Sequence, residues 1–158
     1  MKLLDFVVTD ALLPKLKSTE RDEAIAELMD ALIAAKVAPK NVRDELFEHI
    51  IKREKTGSTG FGKGVAVPHV KHEKIKKMAA AIGVSQQGVD FNALDKNPVY
   101  SIVLLLSPTN KPDEHLQAME NIFSHLQNET FRRFLRQATT REQIEDLVKE
   151  ADTQQLSS

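Results

Sequence analysis

The sequence predicts an α/β fold: a three-layer α/β/α domain with a mixed central sheet flanked by helices. Three observations carry this. The element order runs strand, two helices, several strands, then three helices. Val99–Leu106 is a near-continuous apolar run of the kind buried on both faces of a sheet. Amphipathic helical stripes lie on either side of it in the sequence and must pack on both of those faces.

Leu3 to Leu16 reads as an irregular lead-in followed by a strand near Ala11–Lys17. Thr19 is the expected N-cap of the first helix, with acidic residues in its first turn. Ile25, Leu28, Met29, Leu32 and Ile33 fall at helical spacing on one face. Asn41 is the expected cap of a second helix, whose stripe is Val42, Leu46, Phe47, Ile50 and Ile51 and which ends near Lys55. The segment 56–64 is a loop holding four of the six glycines. Val65-Ala66-Val67 is a short buried strand stopped by Pro68, which lacks an N–H for the ladder. A charged connection follows, Lys71 to Lys77. Met78 to Ser85 reads as a buried strand, and Gly88 to Phe91 as a short strand or turn. Val99 to Leu106 is the clearest strand, ended by Pro108. Leu116, Met119, Ile122, Phe123 and Leu126 then form a helical stripe. Phe131, Phe134, Leu135 and Ala138 suggest a short helix. Thr140 and Gln143 make a capping box for a last helix carrying Ile144, Leu147 and Val148. One domain is expected over residues 1–151, with a polar, frayed tail over 152–158.

Composition narrows the function. Lys plus Arg is 22 and Asp plus Glu is 23, a net charge of −1, so no large phosphate-neutralising surface for nucleic acid is expected. With no cysteine, disulfides, thiol nucleophiles and Cys-type zinc sites are excluded. No tryptophan and one tyrosine argue against a base-stacking platform. Ile102–Leu106 is far shorter than the ~20 apolar residues of a membrane span. Asp5 and Asp10 break the apolar start, so no signal peptide is read and a cytoplasmic location is expected.

Several residues could carry chemistry. Gly57-x-x-x-x-Gly62-Lys63 matches most of a phosphate-binding P-loop, but Gly64 stands where Ser or Thr should reach magnesium. Its context is reversed too, running from helix into strand. A loop this rich in glycine lets backbone approach a ligand or partner closely, or simply turns. His69 follows Pro68 at a strand end, where sites gather in α/β folds. There an imidazole can be a base, a ligand, a nucleophile or a purely structural group. His69-x-x-His72 with Glu73 is a short metal-like spacing in a loop, without the helical setting that would strengthen it. Lys71, Lys74, Lys76 and Lys77, with Lys52, Arg53 and Lys63 nearby, form a basic patch interrupted by Glu54 and Glu73. Such a patch is a solvated surface, or it attracts an acidic partner or a phosphoryl group. His115 follows Pro112-Asp113-Glu114 at a helix start, a setting that keeps an imidazole neutral. His49 and His125 sit in helical patterns and read as structural or exposed.

The run Arg53-Glu54-Lys55-Thr56-Gly57-Ser58-Thr59-Gly60-Phe61-Gly62-Lys63-Gly64-Val65-Ala66-Val67-Pro68-His69 resembles a known signature. It is the phosphohistidine signature of enzyme IIA components of the bacterial phosphoenolpyruvate:sugar phosphotransferase system, fructose–mannitol class. Glu114-His115-Leu116-Gln117 resembles the segment carrying that family's second active-site histidine. Within the class, the Arg-Glu-Lys-x-Gly-Ser-Thr-Gly stretch and Phe91–Asp95 look most like the nitrogen-regulatory branch. Val70 stands where the family usually has Gly or Ala.

The resemblance implies roles. His69 would take a phosphoryl group on Nε2 from the small histidine-containing phosphocarrier protein. His115 and Arg53 would stabilise the phosphoryl oxygens. Gly57, Ser58, Thr59, Gly60, Gly62 and Gly64 would form the phosphate and partner loop. A IIB component or a regulatory target protein would be the next partner, with no cofactor, no metal, no nucleic acid and no membrane insertion. A sugar-transport component, or a non-phosphorylated binding module of the same fold, are the alternatives.

Overall fold

The computed structural model describes residues 1–153. Five strands form one mixed sheet: β1 (Val7–Leu13), β2 (Val65–Ala66), β3 (His69–His72), β4 (Ala79–Val89) and β5 (Val99–Pro108). Five α-helices accompany them: α1 (Arg21–Ala34), α2 (Arg43–Thr56), α3 (Pro112–Leu126), α4 (Glu129–Gln137) and α5 (Arg141–Asp152). The sheet order is β1-β4-β5-β2, and β3 also pairs with β5. β4 and β5 are antiparallel, while β1–β4, β2–β5 and β3–β5 are parallel. β2 and β3 are thus two pieces of one edge, broken at Val67-Pro68.

The pleat of β5 sorts the two cores. Ile102, Leu104 and Leu106 face α1 and α2, where they meet Ile25, Leu28, Leu32, Leu46 and Ile50. Val103 and Leu105 face the other helices, where they meet Ile122, Leu126, Leu135, Ile144 and Val148. The three layers expected from that apolar run are therefore present.

Local departures have physical reasons. β1 lies at Val7–Leu13, earlier than Ala11–Lys17, because Pro14 cannot extend the ladder. As an edge strand it tolerates the exposed Asp10. Thr19 does not cap α1. Its carbonyl accepts from Asp90 N, and Glu20 takes the cap position without a side-chain bond. Asn41 falls inside a 3-10 turn, Lys40–Val42, that begins after Pro39, so α2 starts at Arg43. The charged connection begins inside β3, an edge strand whose one lysine, Lys71, can stay in water. Gly88–Phe91 is no separate element. β4 continues to Val89 through a register shift after Val84, with Gly88 at φ +94. β5 runs on through Pro108.

The stripe on α3 is rotated from the one expected: Leu116 is 58% exposed, and His115 joins Ala118, Ile122 and Leu126 on the buried face. Phe134 is likewise exposed on α4. Thr140 caps α5 by accepting from Gln143 N at 3.1 Å. The Gln143 side chain reaches back to Thr139 N at 2.7 Å, one residue beyond the expected reciprocal bond. α5 extends to Asp152, whose carboxylate accepts from Leu3 N at 2.6 Å and Leu4 N at 3.0 Å. The rest of the expected tail, 154–158, lies outside the described residues.

Candidate functional site

His69 is the first residue of β3, paired in register with Leu105 of β5. Its Nδ1 lies 2.8 Å from the carbonyl oxygen of Val67. A carbonyl only accepts, so Nδ1 carries the proton and Nε2 is left with the lone pair. The anchor is itself fixed: Val67 N donates to Thr59 O at 3.3 Å, and Leu105 N donates to Pro68 O at 3.0 Å. The half-buried ring is thus aimed by a backbone that the sheet holds.

His115 stands in the first turn of α3, buried, with its ring centroid 5.7 Å from that of His69 and tilted by 51°. Its Nδ1 is 2.6 Å from Ser107 Oγ, a fully buried hydroxyl near the end of β5. Burial, followed by the charges of Lys71 and His69, pushes His115 down from 6.5 to about 4. It is neutral at pH 7. When the Ser107 hydroxyl is the donor to Nδ1, the neutral His115 ring carries its proton on Nε2, where it can donate to an oxyanion.

Arg53 is exposed in the last turn of α2, and its Nη1 donates to Gly57 O at 2.7 Å. It braces the start of the glycine loop, and no hydrogen bond joins it to either histidine among the described residues. Gly57 caps α2 in extended backbone that any residue adopts. Ser58 Oγ accepts from Gly60 N at 3.0 Å. Thr59 is buried against Glu54: its N donates to Oε2 at 3.0 Å and its hydroxyl donates to Oε1. Close approach at the other glycines is to the chain itself. A Cβ at Gly60 would meet Ala93 Cβ at 3.0 Å. Gly62 and Gly64 have φ +118 and +74, the left-handed region that favours glycine.

The other histidines are occupied differently. His72 Nδ1 accepts from Lys74 N at 2.9 Å, and its Nε2 lies 3.1 Å from Glu45 Oε2. Three residues apart on a strand, His69 and His72 point to opposite faces, so their spacing does not converge on a metal. His49 is exposed, and His125 packs on Phe131 with its pKa lowered by burial. Val70 is partly buried against the core under α1 and α2.

Three contributors were not singled out in the sequence. Glu54 anchors the loop, Ser107 orients His115, and the Val67 carbonyl fixes the His69 tautomer. Glu54 was detectable as a carboxylate four residues after Ile50 on an apolar stripe. Ser107 was detectable as a hydroxyl closing an apolar strand. The Val67 carbonyl left no side-chain signal.

The family model for the phosphoenolpyruvate-dependent sugar phosphotransferase system, EIIA 2, matches residues 6–151. The chain belongs to this family. EIIA 2 relatives of two kinds are similar to it. The nitrogen regulatory protein of Bradyrhizobium diazoefficiens is 35% identical over 136 residues, 86% of this chain and 87% of the relative. The fructose-specific EIIABC component of Bacillus subtilis is 29% identical over 152 residues, 96% of this chain but 24% of that longer protein. Among solved structures, the nitrogen regulatory protein IIA-Ntr of Neisseria meningitidis aligns with a TM-score of 0.80 at 26% identity. That alignment covers 90% of this chain and 96% of the other. The resemblance read from the phosphohistidine signature and the expected fold class are both borne out. EIIA 2 membership makes this a phosphotransfer component, and among the described residues no helix is long and apolar enough to cross a membrane.

Proposed function

We propose that this EIIA 2 protein is a histidine phosphocarrier of the regulatory branch. His69 takes a phosphoryl group from the phosphohistidine of the small histidine-containing phosphocarrier protein. The observation that carries this reading is the Nδ1 contact to Val67 O, which leaves Nε2 as the nucleophilic atom. In the transfer, the Nε2 lone pair forms the new N–P bond as the donor's N–P bond breaks and its imidazole leaves with the bonding electrons. The Nδ1 proton stays on the ring, hydrogen-bonded to the carbonyl.

His115 acts from its Nε2–H on the phosphoryl oxygens. At cytoplasmic pH the ring is neutral, with one N–H that donates and stays on the ring. Arg53 offers a planar, always-charged fork to the same oxygens as the partner docks. Phosphoryl transfer of this kind rests on positioning and charge stabilisation. The glycine loop, residues 57–64, would meet the partner. The phosphoryl then passes to a IIB component, or its presence is read by a regulatory target protein in the cytoplasm. We take the domain one residue past the expected 1–151, because Asp152 ends α5 and accepts from Leu3 N and Leu4 N. Similarity to nitrogen regulatory proteins supports regulation, while the fructose-specific relative keeps sugar transport as the second reading.

Intact mass after incubation with phosphoenolpyruvate, enzyme I and the carrier protein tests this. One acid-labile phosphoryl gain is expected in the wild type and none in His69→Ala. Retained labelling of His69→Ala would refute the assignment. No gain in folded wild-type protein with active partners would leave a non-phosphorylated binding module.

A further inference from the structure

Lys63, Arg132, Arg133 and Arg136 line one groove of about 600 Å³, between the glycine loop, the start of β5 and α4. Glu129 is the one carboxylate among its lining residues, and Gln86, Tyr100 and Ser101 add polar atoms. The groove is separate from the two histidines. Its Val65–Ser101 pair lies four residues along β5 from the His69–Leu105 pair, about 13 Å at ~3.3 Å per residue.

The arginines are held without neutralising carboxylates. Arg132 Nη1 donates to Leu126 O at 2.9 Å. The Arg136 guanidinium lies 3.5 Å from the centroid of the Tyr100 ring, and Arg133 sits 5.5 Å over Phe134. Among the described residues, none of the four cations is within ion-pair distance of a carboxylate. Stacking and backbone bonds fix guanidinium position while leaving the charge available. Four cations against one anion gather here in a chain whose net charge is −1. Clustering like charges is unfavourable unless an anion joins them.

We propose that this groove binds a small oligophosphate, an anion carrying two or more linked phosphoryl groups. Guanidinium forks match phosphoryl oxygens in bidentate fashion, and the volume suits a single small molecule. The net negative charge of the rest of the chain disfavours a long nucleic acid. The proposal does not depend on phosphorylation of His69.

Calorimetric titration of the full chain with inorganic tripolyphosphate tests it, with ATP and citrate as companion ligands. Saturable tripolyphosphate binding is expected, weakened about tenfold in Arg133→Gln and in Arg136→Gln by loss of charge-assisted hydrogen bonds. Lys76→Gln, in a different groove, should bind as the wild type does. Amide shifts in NMR spectra should centre on Gly64, Tyr100 and Arg132. Equal affinity for ATP and tripolyphosphate assigns the bare phosphate chain, and tighter ATP assigns a nucleotide. Absence of saturable binding would overturn the proposal. So would unchanged affinity in both arginine variants, citrate binding as tightly, or shifts centred on Lys74–Lys77.

Discussion

Replacing Glu54 tests how the glycine loop is held. The carboxylate is 3% exposed at the C-terminal end of α2, where the helix dipole disfavours a negative charge. Its compensation is the pair of donors on Thr59, the backbone N and the hydroxyl. Hydrogen bonds to charged groups are worth about 1.5–3 kcal/mol each. Glu54→Ala removes both and leaves Thr59 N buried without its partner, so a loss of about 3 kcal/mol is expected, less than the full sum because a smaller side chain admits water. Glu54→Gln behaves differently. Its amide oxygen can still accept from Thr59 N, and its amide N–H can donate to a rotated Thr59 hydroxyl. Only the charge assistance is lost, about 1 kcal/mol.

Urea denaturation followed by circular dichroism reads the order: wild type, then Glu54→Gln, then Glu54→Ala. The carrier assay should follow that order, because Thr59 O holds Val67 N and Val67 O holds His69. Equal stability of the Ala and Gln variants would refute the two-donor anchor. Wild-type transfer in a destabilised but folded Glu54→Ala variant would refute its link to His69.

Two further outcomes follow from other contacts. His115 has a folded pKa near 4 against 6.5 for an ordinary histidine, so between those values the unfolded chain binds the proton first. Its contribution is therefore full above pH 6.5 and lost as pH falls toward 4, by about 3 kcal/mol in all at ~1.4 kcal/mol per pH unit. The stability–pH slope over that range should flatten in His115→Ala, with a remainder from His125, which burial also lowers; an unchanged slope would contradict the burial of His115 as its source. Asp152→Ala removes the acceptor for Leu3 N and Leu4 N and should cost about 1–3 kcal/mol, with Asp152→Asn intermediate. Calorimetric melting checks this, and a wild-type melting temperature in the Ala variant would show that the N-terminal turn is held by Leu3 packing alone.

What the sequence made legible was what periodicity records. Val99–Leu106 announced a strand with two buried faces, and the stripe of Ile25, Leu28 and Leu32 announced the helix on one of them. β3 escaped because an edge strand can keep Lys71 in water and so carries no apolar run. The buried face of α3 departs from its apolar periodicity because Leu116, the apolar residue, is exposed, while His115 is buried and bonded to Ser107. At the site, the titratable side chains His69 and His115 could be picked out, and the structure brings their rings together. Their partners could not: a main-chain carbonyl has no sequence identity, and Ser107 becomes a partner only when β5 and α3 are adjacent. The glycines followed the same limit, since a run of them does not say that Ala93 and Tyr100 lie against the loop.

The identity of the phosphorylated ring nitrogen decides whether the Val67 carbonyl sets the chemistry of His69. The wild-type protein, labelled with ¹⁵N at histidine and phosphorylated through the carrier, is examined by NMR for coupling between phosphorus and the imidazole nitrogens. Coupling to Nε2 of His69, with Nδ1 still protonated, is the predicted result, because Val67 O holds the Nδ1 proton. Phosphorylation at Nδ1 of His69, or at any other histidine, would contradict it.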